Sequence, residues 1–144
     1  MNIYQYKKHG NNIRVKKKWI KNSLLAFIGG GTLSIIAQLL LDLYSNYLDK
    51  DIAVAAMIMT IIFITALLTG IGIYDKAAQH LGAGLFIPIS GFSNALTSAA
   101  IESKSEGLIY GIGSNMFKLA GSVITYGIVS AYIVAFINYM VTLL

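Results

Sequence analysis

The sequence is poor in the residues that a water-soluble domain needs on its surface. Only 12% of its 144 residues are charged, about half the fraction that is typical of soluble globular domains. It has no cysteine and a single proline, so disulfides and thiolate metal sites are excluded. The shortage of charge, together with 56% hydrophobic residues, predicts that lipid surrounds most of the chain.

What the sequence does contain is long uncharged stretches. Asp, Glu, Lys and Arg are absent from residues 22–41, 52–74 and 119–144. At a rise of about 1.5 Å per residue, each stretch can cross a hydrocarbon core of about 30 Å as a helix. The stretches are too continuous for the alternating strands of a β-barrel. We therefore predict an all-α, polytopic helical membrane protein with three full transmembrane helices in one transmembrane domain, residues 22–144.

The basic residues are concentrated before the first apolar stretch. Seven of the eleven Lys and Arg residues precede residue 22, and no acidic residue precedes Asp42. This asymmetry predicts a cytoplasmic N-terminal arm, residues 1–21, with Trp19 as an interfacial anchor. It favours contact with the lipid bilayer, and we expect no nucleic-acid partner. The first apolar stretch is longer than a signal-peptide core and lacks an evident cleavage site, which predicts an uncleaved first span.

The region after the second apolar stretch is hydrophobic but interrupted. Glycine and proline predict hinges at Gly82, Gly84, Pro88, Gly91 and Gly107. At membrane depth, such breaks persist only when they are buried against protein or face a watery cavity. Two interpretations of residues 77–101 stay open: a re-entrant pair of short helices and one kinked transmembrane helix. Residues 107–117 are predicted to form a further half-helix.

Polar side chains in the second half of the chain recur at helical spacing, and residues four apart share a helix face. Seven candidates for the lining or gate of a solute path follow: Asn94, Ser98, Glu102, Glu106, Asn115, Lys118 and Ser122. Ionisable groups inside a bilayer are costly, which makes them functional candidates. The alternatives are that the hydroxyls and amides only bridge helices, and that Lys118 pairs with Glu102 or Glu106.

Patterns that indicate catalysis or metal binding are absent from the sequence. His9 and His80 have no ligand companions at metal-binding spacing. Gly70-Ile-Gly72 lacks the third glycine and the strand-to-helix context of a dinucleotide site. We therefore expect no enzymatic activity, no cofactor and no metal site.

Five short segments carry a resemblance to a known family. A shorter match, Gly82–Gly84 (GAG), accompanies these five: Asn22–Gly30 (NSLLAFIGG), Thr69–Asp75 (TGIGIYD), Pro88–Asn94 (PISGFSN), Glu102–Gly107 (ESKSEG) and Asn115–Gly121 (NMFKLAG). Together they resemble the stage V sporulation protein AC (SpoVAC) family of spore-forming bacteria, with its SpoVAC/SpoVAEB-type spore membrane proteins. The last three segments are the most specific.

The resemblance implies a function that composition does not. Membership implies a channel-like subunit of a complex in the forespore or spore inner membrane that moves dipicolinic acid with calcium, inward during sporulation and outward during germination. The implied partners are a SpoVAEB-like membrane subunit and a SpoVAD-like cytosolic subunit, and members are described as mechanosensitive. The alternatives are a non-selective tension-gated solute channel and a structural membrane anchor for a cytosolic partner. With so few spans, the chain is expected to form an oligomer or hetero-complex.

The implied solute sharpens the roles expected of the polar residues. Dipicolinate carries two carboxylates, so its path needs cations or amide donors, which Lys118, Asn94 and Asn115 supply. Glu102, with Glu106 nearby, suits calcium binding or a gate. At the predicted hinge, Pro88→Ala and Gly91→Leu are expected to alter gating more than folding.

Overall fold

The computed structural model describes residues 18–143, which are almost entirely helical and contain no β-strand. The helices are α1 (Trp19–Ser45), α2 (Lys50–Gly70), α3 (Ile73–Leu81), α4 (Ala83–Phe86), α5 (Ile89–Glu102) and α6 (Ser114–Leu143). A 3₁₀ turn (Lys104–Glu106) and a π-helical segment (Leu108–Gly113) connect α5 to α6. Of the predicted basic arm, only residues 18–21 belong to the described part of the chain.

Within residues 18–143, three helical segments are long and apolar enough to cross a membrane. They are α1, α2 and the continuous segment Leu108–Leu143. The prediction of an all-α polytopic membrane protein with three full spans and additional short helices is thereby confirmed. The second span ends at Gly70, four residues before the predicted end, because Gly72 adopts a left-handed conformation with φ 75°. A left-handed glycine directly after the last turn is a common helix stop.

The first two spans form an antiparallel pair joined by the short loop 46–49. The hydroxyls of Tyr44, near the end of α1, and Thr60, in α2, lie 2.8 Å apart. A small hydrophobic core forms where the short helices meet this pair, with Tyr74, Ala78 and Leu85 buried. The interior of the protein is therefore centred on the broken segment.

The predicted interruption of residues 77–101 is confirmed at two points. Gly82 separates α3 from α4 with φ 55° and ψ −131°, a conformation that a side chain at Cβ disfavours. Pro88 separates α4 from α5 in an extended conformation with ψ 170°. Proline has no N–H to continue a helix, and it disfavours helical geometry in the residue before it. The chain thus forms three short helices between the second and third spans.

The predicted separate half-helix at residues 107–117 is wrong. Gly107, with φ 92°, ends the turn after α5, and the π-helical segment then runs directly into α6. The Ile112 N–H donates to the Gly107 carbonyl over 3.1 Å, which is the five-residue spacing of a π turn. The resulting continuous segment is 36 residues long. None of the residues of α6 is buried, so this helix presents nearly its whole surface to lipid or to other proteins.

Candidate functional site

The interface between α2 and α5 is lined by small polar side chains. Three of them are buried: Thr69, Ser93 and Asn94. Ser93 Oγ donates to the carbonyl oxygen of Ile62 over 2.9 Å, which joins α5 to the backbone of α2. Small residues let helices approach closely in a membrane, and hydrogen bonds between helices replace those that water would supply.

Thr69 and Asn94 form the second bond across this interface. Thr69 Oγ1 lies 2.7 Å from Asn94 Oδ1 and 2.8 Å from the Thr65 carbonyl oxygen. A hydroxyl has one proton to donate, and the two ends of an amide are assigned from the network around them. The Thr69 hydroxyl is the donor in both contacts, to Asn94 Oδ1 across the interface and to the Thr65 carbonyl oxygen within α2, and its one proton is shared between these two acceptors. Asn94 is therefore held inside the protein by α2.

A polar groove of about 400 Å³ opens beside this bond, where α2 and α5 both end. It is lined by Thr69, the turn 70–72, Asp75, Ser98, Ile101 and Glu102. The structure thus brings together three of the predicted residues: Ser98 and Glu102 line the groove, and Asn94 bonds Thr69, which also lines it. The groove also holds Asp75, a second carboxylate that the spacing of α5 did not indicate.

Asn115 lies at the junction between α5 and α6. Its amide nitrogen donates to Ser103 Oγ over 2.7 Å and to the Gly111 carbonyl over 3.2 Å. Gly111 is buried against the end of α5, and a Cβ at that position would overlap the Ser103 carbonyl oxygen. Both protons of the Asn115 amide are therefore used to fasten the π-helical segment to the end of α5.

The remaining predicted residues lie apart from the groove. Glu106 is in the 3₁₀ turn beyond the end of α5, so the predicted helical stripe from Asn94 to Glu106 is wrong at its last member. Lys118 is exposed on α6, and within residues 18–143 it forms no ion pair with Glu102 or Glu106. Ser122 is also exposed and donates to the Leu119 carbonyl of its own helix.

The glycines of the broken segment divide into two kinds. Gly82 and Gly107 have positive φ values and no neighbours near the position of a Cβ, which suits a flexible connection. Gly84 and Gly91 are instead close-contact positions: a Cβ at Gly84 would overlap the Ala26 carbonyl oxygen, and one at Gly91 would overlap the carbonyl oxygen of Phe86. Gly91→Leu therefore requires the backbone around Phe86 to shift, in addition to any effect on gating. Pro88, between the two, ends one short helix and starts the next.

The α2 side of this interface is not among the residues that the sequence pattern predicted. Thr69, one turn after Thr65, faces Asn94 of α5, and Ser93 lies within the Pro88–Asn94 segment that carries the family resemblance. The available signal was the pair of threonines one turn apart in an otherwise aliphatic helix, because hydroxyls in lipid-embedded helices usually bond a neighbour.

Three membrane-length helices, with a polar-lined bundle of short helices packed between the second and third, define an integral membrane protein of the helical polytopic class. Comparison with known proteins gives its family. The profile of the SpoVAC/SpoVAEB sporulation membrane proteins matches residues 22–137. The stage V sporulation protein AC of Bacillus subtilis (strain 168) is 44% identical over 136 residues, covering 93% of this chain and 91% of that protein. No solved structure gives a significant match. The chain belongs to the SpoVAC/SpoVAEB family, as its motifs predicted.

Proposed function

We propose that this protein is a membrane subunit of a conduit that carries dipicolinate, with calcium, across the inner membrane of the forespore and spore. Uptake takes place during sporulation and release during germination. The proposal is supported by membership of a sporulation membrane protein family over residues 22–137 and by the function that the resemblance implies. In this arrangement the N-terminal end of α1 faces the cytoplasm, as the basic residues before it predict.

The observation that carries the proposal is the broken segment between the second and third spans. Residues 73–102 form three short helices packed on α1 and α2 instead of one continuous span. Breaks of this kind at membrane depth are tolerated beside protein or a watery cavity. The groove at the end of α2 and α5 is such an opening, because hydroxyls and carboxylates line it.

The polar residues suit the two parts of the proposed cargo differently. Asp75 and Glu102, which share the groove, attract calcium at the mouth of the path, and Glu106 extends this acidic region. Lys118 provides the positive charge that a dicarboxylate requires, and Ser122 lies one turn further along the same face of α6. Asn94 and Asn115 contribute by fixing the helices on either side of Ser98. Among residues 18–143, no group of three or more metal-ligating side chains occurs, so we treat calcium as cargo.

The proposed conduit requires further subunits. A path through the membrane must be enclosed on all sides, yet α6 buries no residue within this chain. We propose that α6 packs against a SpoVAEB-like membrane subunit or further copies of this chain, and that a SpoVAD-like cytosolic subunit attaches to the cytoplasmic face. Without such partners, the exposed polar side chains of α6, Lys118 and Ser122 among them, would face acyl chains, which is costly.

The experiment that tests the function compares spores with and without this protein. Spores that lack it are expected to contain little dipicolinate, and expression of the wild-type chain is expected to restore the content. Normal dipicolinate content in the deletion strain would refute the proposal.

Purified protein in liposomes then separates the proposed function from its alternatives. Flux that favours dipicolinate over other anions of similar size supports the conduit. A leak of many solutes that appears only under membrane tension indicates a non-selective tension-gated channel. Absence of flux both alone and with the partner membrane subunit indicates a structural anchor.

A further inference from the structure

A second polar cavity lies on the other side of the short helices. It has a volume of about 410 Å³ and is situated between the first turns of α1 and the last turn of α3. Four polar side chains line it, Asn22 and Ser23 from α1 and Gln79 and His80 from α3. Its volume falls in the range of small-molecule sites, about 300–1,000 Å³.

The surroundings of this cavity are cationic. No carboxylate lines it, and the nearest acid along α3, Asp75, lines the groove beside α5 instead. Lys18 directly precedes α1, and its carbonyl accepts from the Asn22 N–H over 2.9 Å. On α3, Lys76 precedes His80 by one turn and Asp75 precedes Gln79 by one turn, so two lysines and one aspartate flank the lining residues and leave a net positive charge. The His80 ring is held there by a bond from Nδ1 to the Lys76 carbonyl over 2.8 Å. Amide and hydroxyl donors flanked by cations suit an anionic ligand.

The position of the cavity favours a ligand at the membrane surface. Along α3, Tyr74 and Ala78 are buried whereas Lys76, Gln79 and His80 are exposed. This two-sided character is typical of a helix that lies in the interface between water and lipid. Trp19, an interfacial residue type, lies one turn before Ser23 on α1. The cavity is thus at the depth where phospholipid headgroups are found.

We propose that this cavity binds a phosphate group and that an anionic phospholipid headgroup carries it. Asn22 and Gln79 donate hydrogen bonds to the phosphate oxygens, and Lys18 and Lys76 neutralise its charge. The site would fix the first span and α3 to each other through a bound lipid. It is independent of the solute that the protein moves.

The sequence provides a reporter for the test, because Trp19 is its only tryptophan. The full-length protein in a neutral detergent is titrated with phosphatidylglycerol or phosphatidylcholine whose acyl chains are brominated near the headgroup, and quenching of Trp19 fluorescence is followed. Inorganic phosphate, added without lipid or as a competitor, forms a separate arm. The test variant is Asn22→Ala with Gln79→Ala, which changes no charge. The matched control is Asn46→Ala with Gln38→Ala, which removes the same groups from the last turns of α1 and the loop that follows it.

We expect phosphatidylglycerol to quench Trp19 preferentially. The apparent affinity for this lipid should fall about tenfold in the test variant, equivalent to about 1.4 kcal/mol, and should be unchanged in the control. Competition by inorganic phosphate in the wild type, with no preference between the lipids, would support a phosphate site but overturn the lipid as its carrier. Equal quenching curves for wild type and test variant would overturn the proposal, since the lysines alone would then account for binding. Circular dichroism of both double variants verifies that they fold.

Discussion

The contact between α4 and α1 gives the sharpest prediction about how the broken segment is held. Gly84 lies against the backbone of α1, and a Cβ built there would overlap the Ala26 carbonyl oxygen and come within 2.7 Å of the Gly30 nitrogen. The obstructing atoms are backbone atoms, so rotation of a side chain cannot relieve the overlap. Gly84→Ala must therefore separate the two helices or distort one of them.

The size of the effect follows from the kind of contact. Overpacking of a close contact costs about 1–3 kcal/mol, and a change of 2 kcal/mol lowers the ratio of folded to unfolded protein about thirtyfold. Gly31→Ala is the matched control, because it directly follows the contact residue Gly30 and yet has no atom within 4 Å of its Cβ position. That substitution is expected to stabilise α1 by up to about 1 kcal/mol, through the higher helix propensity of alanine. Gly84→Ala should thus lower the stability of the protein, whereas Gly31→Ala should not.

The assay is thermal unfolding of the purified protein in one detergent, with the fraction that remains monodisperse measured after heating. Gly84→Ala should lower the midpoint and Gly31→Ala should leave it unchanged or raise it. A Gly84→Ala protein as stable as the wild type would refute the close packing of α4 on α1. A fall of similar size in both variants would show that α1 tolerates no added methyl group, and the argument from local contact would fail.

Three further results are expected. A double-mutant cycle of Thr69→Val and Asn94→Leu should give a coupling energy of about 0.6 kcal/mol, and at most about 1.7; unfolding in detergent measures it, and additive effects would contradict a bond between these residues. Lys118→Gln should reduce the dipicolinate content of spores at unchanged protein level, whereas Lys104→Gln, in the exposed 3₁₀ turn, should not; normal content in the first variant would remove Lys118 from the mechanism. Gly127→Leu, which has no neighbour within 4 Å, should leave the isolated chain as stable as the wild type but reduce its co-purification with partner subunits, and intact assembly would place the interface on another face of α6.

The spans could be predicted from the sequence because they depend only on the length of uncharged stretches and the thickness of a bilayer. The breaks at Gly82 and Pro88 could be predicted for a similar reason, since they follow from backbone chemistry at single residues. The continuity of residues 108–143 could not, because a Gly-rich start and a lone lysine resemble a helix end when no packing is known. The π turn there depends on Asn115 reaching Ser103, a contact between residues twelve positions apart.

The candidate site was predicted in part for equally physical reasons. Spacing along α5 correctly grouped Ser98 and Glu102, because residues on one helix keep a fixed geometry. Asp75 joined them only through the turn at Gly72, whose left-handed conformation directs α3, and no periodicity extends across such a turn. Glu106 was wrongly grouped with Ser98 and Glu102, because the helix that was assumed to carry it ends at Glu102.

The length of the final helix has a consequence for where its charge resides. Residues 108–143 extend over about 54 Å at 1.5 Å per residue, almost twice the thickness of the hydrocarbon core. The stretch after Lys118 alone, 25 residues to Leu143, measures about 38 Å and suffices to cross. With that stretch embedded, the ammonium group reaches the boundary with the aqueous phase. The π turn and its fastening to Ser103 then stand above the acyl chains, so that a subunit outside the bilayer has direct access to the junction between α5 and the last span.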